Sequence, residues 1–582
     1  MTDILIILAI GLPWLGALAV WLVGNKRPEQ QHLLAVIFAV AAGLAALLLI
    51  PSYSDAAELK IEVGSVFGDF TFVPDGLGVF LAAVATVVGS LAVIFSVDYM
   101  HGDAELGRYY ALVLLFIGSM VGLVLTGSML LLFIFWEMTA LCSYALISFY
   151  NDDPKAVEGG IKALVITSLG GVGMMIGALI IYAYVGSYEI SDFLADPEAL
   201  PSGVLGVVAF GFLAAAAAKS AQVPFHTWLP GAMEAPSPIS ALIHAATMVN
   251  AGVYLLVRFY PAFEDVEGWT TAVILVGLLS GLLSALMALV AQDLKRALAY
   301  STVSQLGYMV YAVGTGAIFA SQFHLLSHAV FKALLFLSAG AVIHSVGTRD
   351  MRQMGGLGKQ MPFMRNVFIV GALALAGLPI LNGFWSKELV LEGGLEEGPV
   401  WAYAGMLIGA GITALYSFRM VWLVFFGEPR GTTHAHDAGQ YMKLATGILA
   451  VGTFTTWLLA GVFGELLEDS LPYHHLEVET GTKIIEDVIT APATLVALGV
   501  VALGLLGWWF RKPLSGIAEA LSPVGDAAAN DFGFEAVNRQ IVHWTKEAAT
   551  ALRATQTGYL NWNVVGIIGG LIAVLVILVL GA

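Results

Sequence analysis

Apolar runs of about twenty residues recur from one end of the chain to the other, each long enough to cross a hydrocarbon core of about 30 Å as a helix. Windows of about 19 residues place spans near 3–24, 32–50, 75–99, 109–127, 129–149, 161–184, 203–222 and 239–261, and again near 270–291, 297–318, 323–345, 364–387, 400–426, 441–463, 490–510 and 560–581. The pattern therefore predicts an all-α polytopic membrane protein with about sixteen transmembrane helices. The polar stretch between Arg511 and Gly558 is different. Within 533–557, Phe534, Val537, Ile541, Trp544, Ala548 and Leu552 recur at steps of three or four, giving one apolar face. Such a helix is expected to lie laterally along the membrane surface, unless it is a plain surface linker. The run 560–581 would then anchor its far end.

Charge fits the same count. With the N-terminus outside, Lys26 and Arg27, Lys155, Lys295 and Arg296, Arg349 and Arg352, and Arg511 and Lys512 all fall on the cytoplasmic side. The alternate loops are acidic, at 55–69, 189–198, 264–267, 392–397 and 465–479, so most of the formal net charge of −17 lies outside. Both termini are expected outside, in the inner (cell) membrane of a prokaryote. This distribution offers no surface for nucleic acid or anionic lipid. The first run lacks a basic flank and a small-residue cleavage site, so it reads as a retained helix.

Composition narrows the chemistry. Hydrophobic residues make up 59% of the 582 positions and charged residues 12%, about half the share in soluble domains. Cys142, the lone cysteine, cannot form an intrachain disulfide, and no zinc spacing or phosphate loop is present. No cofactor, metal or redox centre is expected in this chain. His434 and His436, His474 and His475, and Lys359 in GGLGKQMP all read as ordinary loop residues.

Against this apolar background a short set of ionisable residues stands out: Glu137, Lys219, Lys332, Lys387, Glu388 and Arg419, with His244, His324 and His328. A charge near the bilayer centre costs at least about 2.5–3.5 kcal/mol, so it needs a partner, a water cavity or a function. His324, His328 and Lys332 follow one another at intervals of four, forming a ladder on one helix face suited to proton relay. The two histidines as a zinc site would lack further ligands nearby. Two spans carry a lysine beside a helix breaker in opposite order, Lys219 before Pro224 and Lys387 after Pro379. Paired interrupted helices mark transporters built from inverted repeats, with the site at the break. Ser301, Ser304, Gln305 and Tyr308 share a face that would hold water or pack helices. Glu137 is the expected anionic partner of the lysines, each charge setting the protonation of the other.

The segments FIFWEMTALCSYALISFY, KSAQVPFHTWLPGAMEAPSPISALIHAATMVNAGVYLLVR, DLKRALAYSTVSQLGYM, HLLSHAVFKALLFLSAG, LPILNGFWSKE and LYSFRMVWLVFFG resemble the antiporter-like subunit family. That family joins the L-type proton-pumping subunits of complex I to the A- and D-type subunits of Mrp cation/proton antiporters. The resemblance, specific from about residue 60 to 426, implies a fourteen-helix core with two inverted five-helix units, a lateral helix and an anchor. It divides the chain into N-terminal helices (1–108), a first ion-translocation repeat (109–261), a second (270–426), C-terminal helices (441–510), the lateral helix (511–558) and the anchor (560–582). Glu137 and Lys219 match the family's input-side pair. Lys332 matches the central lysine, with His244, His324 and His328 in its hydrophilic axis. Lys387 and Glu388 match the terminal site.

The expected function is proton translocation within a multisubunit membrane complex, with other membrane subunits, H+ and Na+ as partners. Two drives compete, a redox-driven complex I-like enzyme and an Mrp-type antiporter; a CO2- or bicarbonate-uptake assembly and a passive scaffold are the remaining classes. In VITSLGGVGMM, Ser168 and Gly171 stand where the L-type subunit is expected to carry a basic and an acidic residue, which leans toward the A-type chain of Mrp antiporters. The length and the single anchor expected at the end lean toward the L-type subunit.

Overall fold

A computed structural model describes residues 2–53, 58–63, 68–430, 435–471, 473, 474, 476, 481–555 and 569. The chain divides into two units, residues 1–528 and 529–582. The first begins with α1 (Thr2–Val23), α2 (Pro28–Leu49), α3 (Gly76–Tyr99), α4 (Leu106–Leu125), α5 (Met129–Ile147) and α6 (Pro154–Val185). Next come the short α7 (Ile190–Ala195), α8 (Ser202–Lys219), the single turn α9 (Trp228–Gly231), α10 (Ser237–Ala245) and α11 (Met248–Phe263). The following set is α12 (Trp269–Val290), α13 (Leu294–Gly314), α14 (Ile318–Val346), α15 (Pro362–Ala376), α16 (Asn382–Glu396) and α17 (Val400–Val421). The unit closes with α18 (Gln440–Thr455), α19 (Ala460–Glu468), α20 (Gly481–Thr490), α21 (Pro492–Trp509), α22 (Ser515–Ala520) and α23 (Ser522–Ala529, whose last residue crosses the boundary). A small hairpin, β1 (Leu59–Ile61) with β2 (Phe70–Phe72), is the sole sheet among the described residues.

Thirteen of the described helical segments are long and apolar enough to span a bilayer, so the protein is an all-α, multi-pass membrane protein. Two further predicted crossings fall short of that measure for reasons of sequence. The helix α13 carries Lys295, Ser301, Thr302, Ser304 and Gln305, all buried within the protein, and Arg296, exposed in its first turn. The run predicted at 364–387 is two half-helices, α15 and α16, and reaches on to Glu396. The predicted anchor 560–581 lies outside the described residues, apart from Gly569. In the second unit, α24 (Phe534–Thr555) realises the amphipathic pattern, with Val537, Ile541, Trp544 and Leu552 exposed.

Contacts between helix ends respect the alternation of basic and acidic loops. On the acidic face, the Thr71 hydroxyl donates to Glu189 at 2.7 Å and the Tyr53 hydroxyl to Asp469 at 2.7 Å. On the basic face, Arg108 donates to the Phe149 carbonyl at 2.6 Å, and Asp98 accepts the Tyr441 backbone N–H at 2.8 Å. There too the Asp437 carboxylate accepts the Phe363 N–H at 3.0 Å, capping the otherwise unsatisfied start of α15.

Close crossings of glycine bring two helix pairs together. A Cβ on Gly173 of α6 would stand 2.6 Å from the Gly211 carbonyl of α8, and one on Gly277 of α12 would stand 2.7 Å from the Gly307 carbonyl of α13. Backbones this close replace hydrophobic drive with van der Waals contact, the usual means of helix association in lipid.

Three of the described spans are interrupted by non-helical backbone. After Lys219 the chain leaves the helix at Ser220, and Ala221 adopts φ 49°. Between α15 and α16, Gly377 has φ 83° and Ile380 has φ 78°. Left-handed backbone at a non-glycine residue costs about 1–3 kcal/mol and persists only when its surroundings enforce it. Pro224 and Pro379 sit at these two breaks and forbid a continuous helix. The third interruption, at Ala246 and Thr247 between α10 and α11, contains no proline. There the Asn250 amide donates to the Ala245 carbonyl at 2.8 Å, and the Thr247 hydroxyl joins the Ala246 N–H on the Leu242 carbonyl at 2.8 Å.

One buried ion pair lies outside the set expected from the sequence. The Arg258 guanidinium holds the Asp75 carboxylate in a two-pronged contact, and Asp75 also caps α3 by accepting the Gly78 N–H at 2.7 Å. The pair ties α11 to the start of α3. Arg258→Met leaves Asp75 buried and uncompensated, and is expected to cost about 3–5 kcal/mol of stability. Thermal unfolding in detergent, read against wild type, measures the loss.

Candidate functional site

The first site forms where α5, α6 and the end of α8 meet. Lys219 is fully buried, and its Nζ donates to the Trp136 carbonyl at 2.7 Å while lying 4.8 Å from the centre of the Trp136 ring. Glu137, the next residue, points elsewhere. Its Oε2 accepts the Ser168 hydroxyl at 2.6 Å, and its Oε1 is buried without a hydrogen-bond partner. The carboxylate and the ammonium make no direct ion pair: the ammonium rests on the Trp136 carbonyl, and Glu137 acts on it electrostatically without contact. A Cβ on Gly171 would stand 2.7 Å from Glu137 Oε1. Ser168 and Gly171 therefore set the surroundings of this carboxylate, one by a hydrogen bond and one by leaving space.

The central site lies between α13 and α14. Lys332 is fully buried, and its Nζ donates to the Leu298 carbonyl at 3.2 Å and to the Ser301 hydroxyl. The ladder holds its face of α14: the His328 and His324 ring centres are 6.4 Å apart, and His324 Nδ1 pairs with the Ser386 hydroxyl at 3.0 Å. His244, the next-to-last residue of α10, packs its ring against Phe336 at 4.6 Å, and both its nitrogens are buried without partners. Of the polar face on α13, Ser301 serves Lys332, whereas the Ser304 hydroxyl donates to Gly281 of α12 at 2.9 Å and so joins helices. Gln305 has both amide atoms buried without partners, a place suited to water.

The terminal site is built on the break between α15 and α16. Lys387 Nζ donates to the Leu375 carbonyl at 2.7 Å, an acceptor freed by the break, and lies 5.6 Å from the Tyr308 ring centre. Glu388 is 5% exposed. Glu392 and Glu396 follow it at intervals of four and line a cleft of about 590 Å³ with Glu397, Phe319 and Thr490, opening among loops of the acidic face. Protonatable groups are thus buried at three places: where α5, α6 and α8 meet, between α13 and α14, and at the break between α15 and α16, whose second helix also lines this cleft.

Other charged residues have more local roles. Arg419, predicted among the bilayer charges, donates to the Ala291 carbonyl at 2.8 Å and to Gln292 at 3.0 Å, capping the end of α12. The Nε2 of His474 meets the Val257 carbonyl at 2.8 Å. His434 and His475 lie outside the described residues. Lys295, predicted as a loop marker, is buried at 3% exposure. Its placement so near Arg296 and Asp293 hid it from a reading by hydropathy.

Helices of this length, two of them broken beside buried lysines, define a multi-pass membrane protein with protonatable groups buried inside it. Residues 126–413 match the family described as NADH:quinone oxidoreductase/Mrp antiporter, TM, and residues 61–110 match NADH-Ubiquinone oxidoreductase (complex I), chain 5 N-terminus. The chain belongs to this NADH:quinone oxidoreductase/Mrp antiporter family. It is 40% identical over 503 residues to NAD(P)H-quinone oxidoreductase chain 5 of a Picosynechococcus species, covering 83% of this chain and 70% of that one. Against NADH-quinone oxidoreductase subunit L of Escherichia coli it is 35% identical over 614 residues, covering 98% of each. The solved Mrp complex from Dietzia sp. DQ12-45-1b contains a similar chain, with a TM-score of 0.83 and 28% identity, covering 99% of this chain and 63% of that one.

Proposed function

We propose that this chain is a proton-translocating, antiporter-like subunit of a multisubunit membrane complex, carrying protons along the line from Glu137 to Glu388. The observation that carries this reading is the repeated placement of a buried lysine on a main-chain carbonyl, at Trp136, Leu298 and Leu375. A carbonyl stabilises an ammonium without neutralising it, so each lysine stays able to release its proton when a neighbouring charge changes. Glu137 and Lys219 act as the input pair, Lys332 with His244, His324 and His328 as the central store, and Lys387 with Glu388 as the terminal site. Residues 109–261 and 270–426 are the two repeats, related by inversion through the breaks at Ala221 and Ile380. The face bearing Lys26, Lys155 and Arg349 is read as cytoplasmic.

Two drives remain compatible with this line: electron transfer in partner subunits, and exchange against Na+ or another cation. The Ser168 and Gly171 environment of Glu137 favours the second, because the L-type pattern of a basic and an acidic residue is replaced by a hydroxyl and empty space. The test is the composition of the complex purified in mild detergent, together with a pH dye in vesicles. Iron–sulfur or quinone-site subunits, and no response to added Na+ or K+, support the redox-driven pump. Small hydrophobic subunits, with cation-dependent dye recovery in the absence of any electron donor, support the antiporter. Proton-tight vesicles under both conditions overturn translocation itself.

A further inference from the structure

The histidine ladder of α14 meets α16 through one serine. His324 Nδ1 and the hydroxyl oxygen of Ser386 are 3.0 Å apart, and both residues are fully buried. The same hydroxyl donates to the Asn382 carbonyl, one turn earlier on α16, at 3.0 Å. Asn382 pins that turn in place. Its side-chain amide donates to the Ser327 carbonyl of α14 at 3.3 Å and to the Thr456 hydroxyl at 2.9 Å. Ser386 is therefore held opposite His324, in the position just before Lys387.

Counting protons decides which atom donates. A serine hydroxyl has one proton and two acceptor lone pairs, and a neutral imidazole has one N–H and one bare nitrogen. With the Ser386 proton on the Asn382 carbonyl, the serine oxygen is left to accept, and His324 Nδ1 is the donor. The reverse arrangement leaves the hydroxyl with a single bond. It also puts an N–H on His324 Nε2, which is buried without a partner. Buried donors are left orphaned less often than buried acceptors, so the first arrangement wins.

We propose that Ser386 is a positioning residue that fixes the tautomer of His324, holding a proton on Nδ1 and leaving Nε2 as the bare atom where protons enter and leave. The proposal rests on the proton-translocating reading above. The ring centre of His328 is 6.4 Å from that of His324, a separation one water molecule bridges. An imidazolium at His328 gives one proton through that water to His324 Nε2 and becomes neutral. His324 becomes the imidazolium, its Nδ1–H still on Ser386. The reverse step returns His324 to the same tautomer without turning the ring. With the tautomer reversed, Nε2 already carries a proton and accepts none.

The test is solid-state nitrogen NMR of the whole complex in lipid with isotope-labelled histidine, where protonated and bare ring nitrogens resonate apart. The His324 signals are those lost in His324→Gln. Wild type is expected to show Nδ1 protonated and Nε2 bare. Ser386→Ala is expected to mix the two tautomers and to slow proton transport in vesicles about tenfold, the population shift that loss of one neutral hydrogen bond brings. Ser386→Thr keeps a hydroxyl on the same face and is expected to restore both the tautomer and the rate. A wild-type His324 protonated at Nε2 overturns the proposal, whatever the variants do. Ser386→Ala that keeps the tautomer, or that transports as wild type does, overturns it too. Lys219→Ala is run beside them. If Lys219→Ala is silent while His324 carries its proton on Nε2, the positioning role alone fails; if Lys219→Ala transports normally, the translocation reading fails.

Discussion

Lys219→Ala is expected to stop proton movement through the chain while leaving the complex assembled. The side chain is fully buried, and its ammonium rests on the Trp136 carbonyl and ring, 2.7 Å and 4.8 Å away. Removing it removes a desolvated charge, so stability should hold or rise slightly; replacing buried ionic groups with apolar ones is often neutral or stabilising. The Trp136 carbonyl loses a partner at a cost of about 1–3 kcal/mol, which a domain tied by this many helix contacts absorbs. Transport is a different matter. A positioned acid–base group contributes about 10²–10⁴-fold to proton transfer, and Lys219 is the group between Glu137 and the rest of the line. Native gel abundance and dye quenching in vesicles, read together, check both halves. Normal quenching in an assembled variant would remove Lys219 from the pathway.

At the centre, Lys332→Leu is expected to abolish transport, whereas Ser301→Ala is expected to reduce it by about tenfold. Lys332 has two partners, the Leu298 carbonyl and the Ser301 hydroxyl. A hydrogen bond to a charged group is worth about 1.5–3 kcal/mol, so losing the hydroxyl disfavours the ammonium without removing it. The serine variant should therefore slow transport and lower the pH at which it works best, since the ammonium form is less well held. The leucine variant leaves His244 and His328 without a protonatable lysine beside them on α14. Wild-type transport and pH optimum in Ser301→Ala, with Lys332→Leu inactive, would show that Ser301 only packs helices, as Ser304 does.

Much of this was legible in the residues because the bilayer enforces simple rules. Long apolar runs have to be helices, since lipid offers the backbone no hydrogen bonds. Basic loops alternate with acidic ones, and the contacts between loop ends keep that alternation. Pro224 and Pro379 announced two of the breaks. The third, at Ala246 and Thr247, carries no such signal, since the Asn250 and Thr247 side chains make it possible only once the chain has folded. The span α13 was found despite its polar residues, but its burial, which makes them tolerable, depends on α12, α14 and α17 surrounding it.

Pairing was harder to foresee than placement. Glu137 was expected to act on Lys219 as its anionic partner; the residues did not show that it does so without contact, its carboxylate on the Ser168 hydroxyl and the ammonium on the Trp136 carbonyl. Asp75 and Arg258 sit 183 positions apart and met without any local pattern to suggest it. Lys295 looked like a loop residue because hydropathy sees sequence neighbours, not what covers a side chain. Helix formation and the alternation of basic and acidic loops follow from local chemistry and the solvent around the chain, so the residues alone determined them. Which donor finds which acceptor is set by how helices far apart in sequence pack, as where Arg258 of α11 meets Asp75 at the start of α3, and that was settled by the packed fold.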